Sequence, residues 1–232
     1  MTLASPRTFG LAAALTALAA LAHAHGDVAP QAVDTTGLPE TGEDWLTENP
    51  YRADKVGDDV WKTAVEIGAS GYNQNCARCH GLEAVSGGLA PDLRFLEAEE
   101  YGDEWYVERF RYGYTQNGIT KMPEFGELLG QDAAWAIRTY IETRPDTDQM
   151  EEVSDELKAI RDQLAGYASD DSGADPEALK TRLTEIATGI ETLSGAPVAD
   201  SVAYRAANMI DGTQDAYGKA AETLTIGLSA AH

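Results

Sequence analysis

Two cysteines and a histidine stand close together in the chain and are the side chains best suited to chemistry. Cys76, Cys79 and His80 form a C-x-x-C-H motif. Cysteines three positions apart lie side by side on one helical turn, so both thiols can form thioether bonds to adjacent vinyl groups of one porphyrin. The histidine then lies where its ring can reach the iron. The motif therefore predicts one covalently attached haem c, held by Cys76 and Cys79, with His80 as an iron ligand.

Two other kinds of site use closely spaced cysteines, but the rest of the sequence favours neither. A thioredoxin-like dithiol follows a β-strand, whereas no strand pattern precedes this motif and a glycine follows its histidine. A zinc site needs four ligands. Besides the motif itself, the chain offers only three further histidines, His23, His25 and His232, and these lie toward its ends, far from the motif in sequence. A chain with only two cysteines also cannot form a disulfide scaffold or a four-cysteine iron–sulfur site.

The second iron ligand decides whether the haem is open to substrates. Met122 lies in a glycine-containing loop 42 positions after His80, and the proline that follows it stiffens the backbone. Met150 and Met209 lie in predicted helices and are better explained as packing residues, and His25 is a further alternative. Ligation by His80 and Met122 closes both faces of the iron, which is typical of an electron carrier rather than an enzyme. The alternative is a haem sensor or a peroxidase-like protein with an open axial position.

The elements that position these ligands can be predicted from hydrophobic spacing and from glycine and proline. Small and apolar residues from Trp61 to Tyr72 share one helical face that runs directly into the motif. The elements predicted beyond it are a loop at 87–91, a helix at 103–112, a loop at 113–126 and a helix at 132–143. Trp105 and Tyr112 are interpreted as core residues, with packing against the haem edge as the alternative. The pattern predicts an all-α haem domain over residues 61–145.

The segments on either side of this domain differ from it in character. Residues 25–60 contain prolines and glycines but no apolar period, which predicts an extended arm. Residues 146–232 carry two apolar repeats of helical spacing, separated by a turn and a helix start at Asp175-Pro176. One or two alanine-rich helices follow. This C-terminal extension is therefore predicted to be a helical hairpin or a small helical bundle.

The first 24 residues have the features of a secretory signal. Arg7 precedes an apolar run of about 13 residues, and Ala22-His23-Ala24 has small residues at the positions that a signal peptidase inspects. That run is shorter than the ~20 residues a membrane-spanning helix needs, although an uncleaved anchor is the alternative. We expect cleavage after Ala24 and a periplasmic mature protein with no further membrane span.

The charge of the chain narrows the range of partners. Lys and Arg number 17 against 39 Asp and Glu, a net charge of −22. Such a surface would repel nucleic acid and anionic lipid head groups, so neither is a predicted partner. Because the acidic excess continues through the extension, we interpret it as general solvation. Steering toward a basic patch on a partner is a secondary effect that salt would weaken.

Residues 61–145 resemble a class I, monohaem cytochrome c domain. The matching pieces are the spacing of Ala64, Gly68 and Tyr72 ahead of the motif, the string 88–93, the pair Met122-Pro123 and the closing helix 135–140. The resemblance implies that the first and last helices cross near Gly68 and Tyr140.

The same resemblance implies that the carbonyl of Pro91 accepts the second ring N–H of His80. Leu93 and Arg94, which follow Pro91 closely in the chain, are also predicted to bind the haem. Arg94 could neutralise a haem propionate, as could Arg109 or Arg111 nearby, or it could be an ordinary surface arginine.

The arm adds a closer resemblance. Segments 25–34 and 45–52, with residues 72–84 around the motif, are similar to PedF-type cytochromes c. That resemblance implies a one-electron carrier. Its donor would be a periplasmic alcohol dehydrogenase dependent on pyrroloquinoline quinone (PQQ), and its acceptor a terminal oxidase or another cytochrome. Those cytochromes lack residues like 146–232, so a different periplasmic donor remains an alternative, as does an extension that docks a partner or a second copy.

Overall fold

The computed structural model describes residues 30–230. The predicted signal peptide 1–24, its cleavage site, His25 and His232 lie outside the described residues. Between residues 30 and 230, none of the helices combines the length and the apolar character needed to cross a lipid bilayer.

The described chain is mostly helical, with one small two-stranded sheet, which confirms the predicted all-α class. The helices are α1 Ala53–Val56, α2 Asp58–Asn75, α3 Ala77–His80, α4 Glu100–Tyr112, α5 Gly126–Glu142, α6 Thr147–Glu152, α7 Ser154–Tyr167, α8 Pro176–Gly189, α9 Val202–Met209 and α10 Gln214–Ala230. Short 3₁₀ turns occur at Leu82–Ala84 and Leu93–Phe95.

A β-hairpin occupies most of the segment that was expected to be a loop between α4 and α5. Strands β1 Tyr114–Gln116 and β2 Ile119–Met122 pair antiparallel. The two residues between them, Asn117 and Gly118, have φ of 53° and 75°. A two-residue turn with positive φ at both positions matches the twist of paired strands, and Asn-Gly is its preferred sequence. The expectation of a loop over residues 113–126 was therefore wrong for this part.

The helices pack around two hydrophobic clusters, one toward each end of the described chain. The first cluster takes buried residues between Tyr51 and Ile141, from the arm, α2, α4 and α5. The second runs from Met150 to Leu228 and is made by α6 to α10 with their connections. The C-terminal extension thus has a hydrophobic core of its own.

The first cluster is centred on the crossing of α2 and α5, at the position implied by the resemblance. A Cβ atom added to Gly68 would lie 1.9 Å from the carbonyl oxygen of Ala136 and 2.9 Å from Cβ of Tyr140. Only glycine therefore permits this approach of the two helix backbones. The rings of Tyr72 and Tyr140 lie 5.2 Å apart beside it.

One helix of the extension, α8, begins where the sequence predicts. The Asp175 side chain accepts a hydrogen bond from the backbone N–H of Ala178, and Pro176 is the first residue of α8. Both alanine-rich helices, α9 and α10, are present. The first apolar repeat, however, spans two helices, because the chain breaks at Val153 between α6 and α7.

The arm is fixed to the haem-binding part by a cluster of buried charges. Asp103 is fully buried; it accepts hydrogen bonds from Arg138 Nε at 2.9 Å and from the backbone N–H of Asn49 at 2.8 Å. Arg52 lies 2.8 Å from Asp103 and 2.9 Å from Glu142. Burial raises the pKa of Glu142, and the nearby guanidinium groups of Arg52 and Arg138 oppose that shift. The arm thus supplies one of the two cations that balance these carboxylates.

Candidate haem site

The C-x-x-C-H motif forms a single helical turn at the end of a long helix. Cys76 follows the last residue of α2, and the backbone N–H groups of Cys79 and His80 bond to its carbonyl oxygen at 3.1 and 3.0 Å. Cys76 is partly buried, Cys79 is exposed, and the two are not joined in a disulfide. This geometry is what attachment of one porphyrin through two thioethers requires.

The His80 ring is oriented by a backbone carbonyl. Nδ1 of His80 lies 2.9 Å from the carbonyl oxygen of Pro91. In this pairing Nδ1 carries the proton, which leaves Nε2 with its lone pair free to bind iron. The loop that contains Pro91 therefore holds the imidazole in the tautomer that a metal ligand needs.

The turn that follows His80 has an unusual backbone. Gly81 has φ of 84°, and a Cβ atom there would lie 1.8 Å from the carbonyl oxygen of Val85. Glu83 and Ala84 also have positive φ, 55° and 62°. Left-handed backbone costs a residue with a side chain roughly 1–2 kcal/mol, so the surrounding structure must hold this turn in place. Tyr72 contributes, because its hydroxyl donates to the Gly81 carbonyl oxygen at 2.9 Å.

Leu93 and Arg94 lie in the 3₁₀ turn after Pro91, and both are buried. Leu93 belongs to the first cluster. Arg94 is 5% exposed, so its interpretation as an ordinary surface arginine is wrong. Its Nη2 lies 2.7 Å from Asp92 Oδ2, and its Nη1 lies 3.3 Å from the Thr147 hydroxyl. Burial raises the pKa of Asp92, but the hydrogen bonds and charge of Arg94 outweigh this and hold the pKa below 3.8.

Asp92→Asn is expected to lower the free energy of unfolding by about 1–3 kcal/mol at pH 7, because a charge-assisted pair is lost. The folded protein depresses the pKa of Asp92, so its stabilising effect is complete above the unfolded value and is lost as the pH falls below 3.8. Urea unfolding of the variant and the wild type at several pH values should show the difference shrinking with acidification. A difference that stays constant below pH 3.8 would contradict this account.

Met122 is the last residue of β2 and packs against the first cluster. Met150 is 9% exposed inside the second cluster, which confirms its packing role. Met209 ends α9 and is 41% exposed, so its interpretation as a packing residue was wrong; its sulfur lies 3.2 Å from the Thr223 hydroxyl. Among the methionines between residues 30 and 230, Met122 alone belongs to the same cluster as the motif.

Exposed apolar side chains concentrate around the motif and the hairpin. Nine of the twelve large hydrophobic residues exposed in the described part of the chain lie between Leu82 and Leu128. Tyr112 is one of them at 64% exposure, so its interpretation as a core residue was wrong. Apolar surface of this extent, close to two thiols and an oriented imidazole, is what a bound porphyrin would cover. The residues present therefore fit a haem.

Two arginines beside the hairpin stack on aromatic rings, a feature that sequence reasoning missed. The guanidinium of Arg109 lies 5.4 Å from the ring centres of both Trp105 and Tyr114. The guanidinium of Arg111 lies 4.9 Å from Trp45 and 4.8 Å from Tyr112. The i, i+4 spacing of Trp105 and Arg109 on α4 was a visible signal for one of these pairs.

Comparison with known proteins agrees with this geometry. Residues 63–141 match the family described as cytochrome c oxidase, cbb3-type, subunit III. Cytochrome c550 of Pseudomonas aeruginosa is 56% identical over 126 residues, which cover 54% of this chain and 85% of that protein. Quinohemoprotein alcohol dehydrogenase ADH-IIG of Pseudomonas putida is 33% identical over 78 residues, 34% of this chain and 10% of that enzyme. Quinohemoprotein alcohol dehydrogenase ADH IIB of the same organism is 32% identical over 88 residues, 37% of this chain and 12% of that enzyme. No solved structure matches the chain significantly.

The fold and the site define a helical protein that binds haem covalently through a C-x-x-C-H motif. The chain belongs to the cytochrome c family, with a monohaem, class I haem-binding part similar to cytochrome c550. It is an electron-transfer protein that carries a covalently attached c-type haem, and it is not an enzyme.

Proposed function

We propose that this cytochrome accepts single electrons in the periplasm from a PQQ-dependent alcohol dehydrogenase and passes them to a terminal oxidase or another cytochrome. The observation that carries the proposal is the similarity to about a tenth of each of two quinohemoprotein alcohol dehydrogenases. We infer that the haem-binding part of this chain serves an alcohol dehydrogenase as a separate protein. The predicted signal peptide supports the periplasmic location.

Within this proposal, each residue of the site has one task. Cys76 and Cys79 would attach the porphyrin, and His80 and Met122 would supply the two iron ligands. Bound haem supplies one-electron redox chemistry. Pro91 orients the His80 ring through the 2.9 Å contact, and Leu93 contributes apolar packing. Arg94 keeps the Pro91 loop in place through Asp92. With two protein ligands on the iron, the haem would offer no binding position to a substrate.

The elements next to the site carry three cations without an ion-pair partner in the described part of the chain. Arg78 in the motif, Arg111 on α4 and Lys121 on β2 make no ion pair with any residue between 30 and 230. They lie in or near elements that carry exposed apolar side chains, in a protein with a net charge of −22. We infer that the donor docks here through carboxylates surrounding an apolar patch, with the acidic remainder of the surface kept away from it.

The experiment that tests the donor uses the oxidised holoprotein mixed with a purified PQQ-dependent alcohol dehydrogenase and an alcohol. Growth of the reduced haem absorption band is expected, at a rate that falls as salt is added. Arg111→Glu is expected to slow the reaction about tenfold at low salt, because it reverses a docking charge.

The matched control is Lys180→Glu, which makes the same charge reversal on α8 of the extension, away from the hairpin. Its rate should equal that of the wild type. Reduction no faster than that of an unrelated cytochrome would reject this donor while leaving the role as an electron carrier intact.

A further inference from the structure

The C-terminal extension returns to the haem-binding part after its third helix, α8. The backbone N–H of Ala98 donates to the Ser194 carbonyl oxygen at 2.9 Å. The backbone N–H of Asp146 donates to the Glu191 carbonyl oxygen at 2.8 Å. Pro145 and Thr192 form an isolated β-bridge, and Ala199 packs against the first cluster. We call residues 191–200 the return segment. The extension is thus attached to the haem-binding part along this segment as well as through the chain.

Arg144 lies where the return segment meets the turn that follows the haem motif. Its side chain is 1% exposed and stacks on the Tyr140 ring, with 4.2 Å from the guanidinium carbon to the ring centre. Nη1 lies 2.9 Å from Glu83 Oε2 and 3.4 Å from Asp200 Oδ2. One guanidinium nitrogen therefore joins a carboxylate next to the motif to a carboxylate of the extension. Asp200 is held in turn by Arg205, 2.8 Å away on α9.

Glu83 is one of the two residues with left-handed backbone directly after the motif. Residues with side chains persist in this conformation only where their surroundings fix them. The contacts of the Glu83 carboxylate are the ion pair with Arg144 and the Tyr140 hydroxyl, 3.5 Å away. Loss of Arg144 would remove the stronger of these contacts.

We propose that Arg144 is a positioning residue for the turn that follows the haem motif, residues 81–85. Asp200 of the C-terminal extension holds Arg144 in this role. The inference rests on the assignment of Cys76, Cys79 and His80 as the haem-binding motif. It gives the extension a part in the electron-transfer site, although its own helices pack around a separate cluster. The return segment stabilises the backbone on the His80 side from outside the haem-binding part.

The test compares holoprotein variants by amide hydrogen exchange and by redox titration. The amide of Val85, which donates to the Leu82 carbonyl oxygen at 3.0 Å, reports on the turn. We expect Arg144→Met to speed its exchange about tenfold and Asp200→Asn to speed it several-fold, because the turn opens more often. Arg144→Lys keeps the charge beside Glu83 and should stay within about threefold of the wild type. The midpoint potential should shift in Arg144→Met and be largely restored in Arg144→Lys.

The control is Glu156→Gln, which removes an ion pair with Arg182 inside the extension, 2.8 Å from Nη2 to Oε2. It should change neither the exchange of Val85 nor the potential. Unchanged exchange in Arg144→Met with the haem still bound would overturn the role of Arg144. Unchanged exchange of Val85 in Asp200→Asn would overturn the role of the extension in holding Arg144. If Arg144→Met does not fold, the Asp200→Asn result decides whether the proposal stands. A colourless wild-type protein would instead refute the haem assignment itself.

Discussion

Replacing Met122 with alanine is expected to abolish the weak long-wavelength absorption band that a sulfur–iron bond gives the ferric protein. The ferrous variant should then bind carbon monoxide readily, whereas the wild type should not. The physical reason is that Met122 is the methionine that packs with the first cluster, at the end of a strand anchored by its hairpin partner. If Met122 is the second iron ligand, removal of its thioether would leave a position on the iron open to carbon monoxide.

The other two methionines of the described chain provide the controls for this experiment. Met150→Leu changes a residue 9% exposed in the second cluster, and Met209→Leu changes a residue at the end of α9. Both should keep the band and exclude carbon monoxide, at most with a small loss of stability, because Leu and Met have similar volumes. A band that survives in Met122→Ala would show that another group is the second ligand.

Arg138→Met is expected to lower the free energy of unfolding by about 3–5 kcal/mol, the usual cost of leaving a buried charge without its partner. Arg138 is completely buried; besides Asp103 it donates to the backbone carbonyl of Leu96 at 3.2 Å. The variant retains Arg52 as the one arginine facing both Asp103 and Glu142. Denaturant unfolding of the holoprotein measures the loss.

This loss should depend on pH in a defined direction. Burial raises the pKa of Glu142 in the folded protein, and loss of Arg138 removes one of the charges that oppose the shift. A group with a raised folded pKa stabilises the fold below its unfolded value, near 4.5, and that contribution is lost as the pH rises through the folded value. The deficit of the variant should therefore be smaller at pH 4.5 than at pH 8. Arg182→Gln, at an exposed ion pair, is the control and should cost no more than about 1 kcal/mol.

The haem motif was predictable because its chemistry depends on spacing along the chain. Cys76, Cys79 and His80 occupy one helical turn, and any helix that begins there places them together. The hairpin that carries Met122 was predictable too, since Asn117-Gly118 is a strong turn signal between two short strand-like runs. It was missed because the surrounding glycines and proline favoured a loop.

The contacts between distant segments could not be predicted from local patterns. Asn49 and Glu142 are 93 positions apart, and no period links them. The burial of Arg94 is of the same kind, because it depends on Asp92 and on Thr147 beyond α5. The break at Val153 was hidden for another reason: the apolar spacing continues through it, so the repeat alone cannot show that one helix has ended and the next has begun.

The buried charge cluster makes the arm necessary for the full stability of the haem-binding part. A fragment beginning at Trp61, where the helical pattern starts, would retain both carboxylates and lack Arg52 and Asn49. Such a truncated product would carry an excess buried negative charge and should unfold at lower temperature than a fragment that includes the arm. The arm and α5 should therefore melt together in a single cooperative transition.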